Sequence, residues 1–161
     1  MDVCIKSKGL NFKWVSPLTG GETFGIISEI HKSVKFDMLN DMKIEEYSIV
    51  SNNGQYYLLE ECETFDFKDP PFDPVEFSQT LVKFMYEKNA LGVAANQVGV
   101  PYRIFAMRGS PENFVCFNPK IVQTSEKDVV LEEGCLSYPG LLVKIKRPEF
   151  VRVRFTTPNG D

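Results

Sequence analysis

The 161-residue sequence is poor in the groups that usually announce a function. Histidine occurs once, at His31. These residues therefore offer no pair of imidazoles to a metal, and a cysteine nucleophile would have only His31 as a histidine base. The four cysteines, Cys4, Cys62, Cys116 and Cys135, are scattered, with no CxxC pair and no disulfide-scaffold spacing. No apolar run approaches the length needed to cross a bilayer, and the N-terminus M-D-V-C-I-K-S-K has no signal-peptide core. The expected location is the cytoplasm, where the four thiols stay free. A net charge of -4 lacks the basic excess of a general nucleic-acid binder.

What is present suits an ordinary globular chain, with 43% hydrophobic and 25% charged residues. The pattern changes near residue 63. Before it lie short strand-like runs: V-C-I from Val3, F-G-I-I from Phe24, Y-S-I-V from Tyr47 and Y-Y-L-L from Tyr56. S-N-N-G, ending at Gly54, carries hairpin-turn chemistry between the last two. Residues 1–62 are thus expected to form a small β-barrel-like module, similar in strand spacing to SH3-like domains of phage and bacterial proteins.

The stretch F-D-F-K-D-P-P-F-D-P, residues 65–74, contains three prolines and reads as an irregular junction. Asp73 can cap a helix that begins at Pro74, with Glu76 three residues after the cap. Phe77, Leu81, Phe84 and Met85 share one face of it and predict core, and Asn89 suits a left-handed terminator. Strands are predicted at Y-R-I-F-A-M from Tyr102, F-V-C-F from Phe114, around Val129-Val130-Leu131, and at V-R-V-R-F from Val151. The last of these alternates as a half-exposed strand does. It runs into T-T-P-N-G-D, where Asn159-Gly160 is again turn chemistry and leads to the expectation of a returning strand outside these residues.

Two stretches carry chemistry. In A-L-G-V-A-A-N-Q-V-G, residues 90–99, Gly92, Ala94 and Ala95 let another backbone approach closely, which suits tight packing or a bound peptide. Gln97 offers both a donor and an acceptor. In L-E-E-G-C-L-S-Y-P-G, residues 131–140, Cys135 on its own could be core filler, a nucleophile or a metal ligand.

Taken in order, the two stretches resemble the first two signature motifs of peptide deformylases, G-x-G-x-A-A-x-Q and E-G-C-L-S. Ala90 replaces the first glycine, and Val93 stands where leucine is common. The resemblance covers about residues 65 to 161, so residues 63–161 are expected to be a deformylase-like domain. It implies an α+β fold, a mixed sheet packed on a helix. It also implies metal-dependent hydrolysis of the formyl group from N-formylmethionyl nascent peptides.

By the same resemblance, Cys135 would be a thiolate ligand of ferrous iron, with zinc or nickel able to substitute. The Gln97 amide and the backbone N–H of Leu136 would stabilise the oxyanion of the tetrahedral intermediate. Leu91, Gly92 and Gly134 would lie along the peptide, which pairs like an added strand. Glu133 would brace the site by pairing with Arg147. The implied partners are N-formylmethionyl peptides, with the ribosome exit region as a further candidate; no membrane and no specific nucleic acid are implied.

The family's third motif, H-E-x-x-H, which supplies two histidine ligands and a glutamate base, does not occur in the sequence. The chain is therefore expected to be a C-terminally incomplete deformylase, lacking the H-E-x-x-H helix and inactive or dependent on a complementary C-terminal fragment. Two other readings stay open. One is a non-catalytic peptide-binding scaffold. The other is a thiol hydrolase with Cys135 as nucleophile and His31 as base.

Overall fold

The computed structural model describes residues 2–6 by their backbone, and residues 58–110 and 112–161 in full. Most of the stretch read as an SH3-like module, including His31, lies outside these residues. Its first strand-like run is β1 (Asp2–Lys6). Leu58 and Leu59, read as the end of a strand, are helical instead. Leucine is a good helix former, so the pair suits a helix as readily as a strand, and the helix does not extend to Glu60 or Glu61.

Helix α1 (Pro74–Glu87) starts where its capping chemistry places it. The Asp73 carboxylate accepts from the backbone N–H groups of Val75 and Glu76, both at 2.8 Å, and Pro74 occupies the first turn. Phe77, Leu81, Phe84 and Met85 are all buried, as the spacing requires. Burying side chains of this size contributes about 1.5–3 kcal/mol each. Past the helix, Asn89 takes the left-handed conformation at φ 48° and lets the chain reverse.

The chain continues through β2 (Gly92–Ala94), a 3-10 turn (Ala95–Val98), β3 (Ile104–Met107), β4 (Phe114–Thr124), β5 (Asp128–Cys135), β6 (Tyr138–Pro148) and β7 (Phe150–Thr156). A five-stranded sheet has the order β1-β7-β4-β3-β2, and β5 and β6 form a separate two-stranded hairpin. Named strand pairs are antiparallel. Parallel pairing enters through the isolated bridge between Glu63 and Tyr102. Val153 and Phe155 of β7 are buried while Arg152 and Arg154 are exposed, as strict alternation predicts.

Helix α1 lies on the β2–β3 end of the sheet, and its core includes Phe65, Leu81, Met85, Val93, Ala95, Ile104, Ala106 and Phe117. Cys116 points to the opposite sheet face, with Val153 and Phe155. The proline-rich stretch 65–74 is irregular, as expected, but it is more than a junction. Phe65 is 2% exposed and touches the rings of Phe67, Phe72, Tyr102 and Phe117. Its backbone cannot join a strand, so a side chain satisfies it. Asn118 accepts from the Phe65 N–H at 2.8 Å and donates to the Phe65 carbonyl at 2.9 Å.

Asn118 can do this because it sits at φ 48° in an irregularity of β4, beside Pro119. Proline within a sheet is tolerated at such a bulge. Replacing Asn118 by Gly should keep the left-handed backbone but lose both bonds, at about 2 kcal/mol. Asn118→Ala should cost about 1 kcal/mol more, because alanine is strained at this φ. Urea denaturation of the two variants checks the order; equal stability of both with the parent would contradict it.

Candidate functional site

The hairpin β5–β6 ends in a two-residue turn, Leu136–Ser137, closed by the pairing of Cys135 with Tyr138. Leu136 packs against the core under α1, and Ser137 is 2% exposed. The tip of the hairpin is therefore embedded in the larger sheet's core, while parts of its length are free: Leu141 and Leu142 are 56% and 61% exposed. Docking this tip carries Cys135, half-buried, up to the 3-10 turn that bears Gln97.

There the Gln97 amide nitrogen lies 3.5 Å from Cys135 Sγ and 3.4 Å from Ser137 Oγ, across 38 and 40 residues of sequence. The Gln97 carbonyl accepts from the Ala94 N–H at 3.0 Å. This is the return half of a capping box; Ala94 has no side-chain acceptor with which to supply the other half. The structure thus brings Cys135 and Gln97 together with Leu136. Ser137 belongs to the second motif without an expected role there, and its burial is what distinguishes it.

Leu91 precedes β2, and Gly92 opens it. Gly92 pairs with Met107, and a Cβ added there would meet the Ala106 carbonyl at 3.1 Å. Its small size is therefore explained by packing within the sheet. The Leu91 carbonyl accepts from the Arg108 N–H at 2.8 Å. Strand β2 is the last strand of the sheet, so its outer edge has no strand partner among the described residues. Gly134 lies in β5 next to Cys135, where the hairpin register shifts.

Glu133 and Arg147 pair as the motif implied. Arg147 donates from Nε at 2.9 Å and from Nη2 at 2.8 Å to the two carboxylate oxygens. The side chains are 7% and 27% exposed, so this is a bidentate, mostly desolvated pair rather than a surface contact. The hydrogen bonds to Glu133 raise the Arg147 pKa, against the opposing effect of burial. Burial pushes the Cys116 thiol up to about 12, so it is an inert core group.

Among the described residues, no three His, Cys, Asp or Glu side chains converge as a metal cluster. Cys135 is a single soft donor with an amide N–H beside it, and one thiolate does not make a transition-metal site. The described residues alone therefore do not fit a bound metal. None of the described helices is long and apolar enough to cross a membrane.

A family model described as polypeptide deformylase matches residues 47–161. The matched stretch begins inside the segment read as the N-terminal module. The peptide deformylase of Thermotoga neapolitana is 35% identical over 83 residues, covering 52% of this chain and 51% of that protein. That of Natranaerobius thermophilus is 41% identical over 78 residues, covering 48% and 50%. The chain thus spans about half the length of these curated relatives. The crystal structure of peptide deformylase from Thermotoga maritima superposes with a TM-score of 0.65 at 27% identity, covering 71% of this chain and 76% of that one.

Two outcomes follow from the geometry. Truncating Arg147→Ala leaves Glu133 charged and buried and should cost about 2–3 kcal/mol, less than a fully buried pair because Arg147 keeps some water. Urea denaturation checks it, and a loss below about 0.5 kcal/mol would mark the pair as an ordinary surface bridge. Native-state alkylation at pH 8, read by peptide mass mapping, should label Cys135 well before Cys116. Equal labelling of the two would contradict the burial described.

Proposed function

This chain belongs to the polypeptide deformylase family, and from that premise we propose that it serves metal-dependent hydrolysis of the formyl group from N-formylmethionyl peptides. The observation that carries the proposal is the approach of Gln97 to Cys135 on the docked hairpin tip. A cysteine sulfur and an amide donor from separate motifs meet where a reacting carbonyl would need a ligand-bearing centre and an oxyanion donor side by side.

In this reading Cys135 would be one donor to a ferrous ion, for which zinc or nickel could substitute, and the bound metal would supply an activated water. The remaining donors are not among the described residues. A complementary segment carrying an H-E-x-x-H helix, the partner proposed here, would provide two of them together with a general base. It would also have apolar side chains to cover, since Val130 and Leu142, on one face of the hairpin, are 63% and 61% exposed.

This chain's own residues do the rest. The Gln97 N–H and the Leu136 backbone N–H donate to the oxygen that gains charge. Strand β2, through Leu91 and Gly92, receives the peptide as an added strand along its outer edge, with Gly134 leaving space on the hairpin side. The Glu133–Arg147 pair holds the hairpin that presents Cys135. Delivery of nascent peptides at the ribosome exit region would suit this substrate.

A peptide-binding scaffold without catalysis remains the alternative if the site never acquires a metal. The test has two parts. Metal analysis of the purified 161-residue chain should give well under one equivalent of chelator-resistant iron, zinc or nickel. Adding a peptide with an H-E-x-x-H helix should raise both metal content and release of formate from a formyl-methionyl peptide. In that complex Gln97→Ala should lower kcat by about 10²–10³, and Cys135→Ala should abolish metal retention. Formate release unaffected by Gln97→Ala would remove Gln97 from the proposed role. Peptide binding with no formate release in any complex would favour the scaffold.

A further inference from the structure

The Gln97 carboxamide is held at three points, and the third is a hydroxyl with no assigned task. The atom facing the Ala94 N–H must be an acceptor, so Oε1 lies there and Nε2 faces Cys135 and Ser137. Nε2 carries two N–H bonds, and Sγ and the Ser137 hydroxyl oxygen are the two acceptors that meet them. At 3.5 Å the contact to sulfur is the weaker kind of bond, and a stronger acceptor placed beside Cys135 could take over that N–H. The other N–H meets Ser137 Oγ at 3.4 Å, a long contact for N–H···O. Gln97 and Ser137 are 5% and 2% exposed, so water has little room to stand in for the hydroxyl.

Resting on the proposed role of Gln97 as oxyanion donor, we infer that Ser137 is a positioning residue. Its hydroxyl oxygen accepts one Gln97 N–H and so aims the other into the site beside Cys135. Without that anchor, the carboxamide keeps the Ala94 contact on its oxygen side and only the sulfur contact on its nitrogen side, so rotation about its intrinsically broad terminal torsion is less restrained. Packing alone does not require a hydroxyl here, because alanine would fill nearly the same space in the turn. The embedded hairpin tip is what makes the arrangement work: Leu136 pins the turn to the core, and the next residue then presents its oxygen to the 3-10 turn.

The test uses the 15N-labelled 161-residue chain, with the Gln97 side-chain amide signals assigned by their loss in Gln97→Glu. In the parent protein the two Nε2 protons should be distinct and slow to exchange with water. Ser137→Ala should speed their exchange by about tenfold, the effect of losing one hydrogen bond. Backbone amides of Ala106 and Phe117 should stay protected. Ser137→Thr, which keeps the hydroxyl, should restore the parental exchange.

Unchanged Gln97 exchange in Ser137→Ala would overturn the inference. So would faster exchange shared equally by the core amides, which would mean that Ser137 acts only on stability. If Ser137→Ala does not fold, Ser137→Cys is read by the same criterion, since it keeps the size with a poorer acceptor. The measurement needs neither metal nor turnover. A slow, Ser137-dependent Gln97 amide in a protein that releases no formate even with an added H-E-x-x-H segment would count against the proposed function and leave the positioning role standing, whereas fast exchange in the parent chain would overturn the positioning role.

Discussion

The site depends on how the tip of the β5–β6 hairpin is anchored. A two-stranded ribbon is marginal by itself in water, and stretches of this one are well exposed. What holds its end is the insertion of Leu136 and Ser137 between the 3-10 turn and the core under α1. Once that turn is seated, Cys135 reaches Gln97 with no further freedom, and the Glu133–Arg147 pair two residues along stiffens the strands that carry it. A side chain presented this way sits on a rigid support.

The platform that receives the tip has its own constraint. The aromatic segment around Phe65 packs on the core outside the named strands, and Asn118 meets its backbone with two side-chain bonds. That arrangement lets a proline-rich, irregular segment cover the core beside α1 without leaving buried peptide groups unpaired. The small residues from Gly92 to Ala95 complete the platform. Val93 and Ala95 fill the core, and Gly92 allows the close approach of β3.

Several of these features were legible in the residue pattern, for identifiable reasons. The start of α1 was written in Asp73-Pro74, the buried face in the spacing of Phe77, Leu81, Phe84 and Met85, and β7 in strict Val/Arg alternation. Local chemistry and short-range periodicity decide such elements. Strand β6 was invisible because Pro139-Gly140 follow its first residue and adjacent exposed leucines come next, which show no alternation. The second half of β4 was hidden behind Pro119, a breaker that the bulge at Asn118 neutralises. The segment around Phe65 read as a junction because prolines exclude regular structure, yet they do not exclude burial.

The candidate site divides along the same line. The two motifs, their order, and the choice of a thiol and a carboxamide could be read from the chain alone, because residue types set which chemistry is available. The family likeness then named Glu133 and Arg147 as partners, and the hairpin supplies the bidentate geometry. The burial of Ser137 and its contact with Gln97, 40 residues away, could not be read, since they arise from the packing of one turn against a distant 3-10 segment. Sequence alone thus determined which groups could react and which short segments would fold. Only tertiary structure decided which of those groups meet, because a contact across tens of residues is set by how whole elements pack, and no local pattern records that.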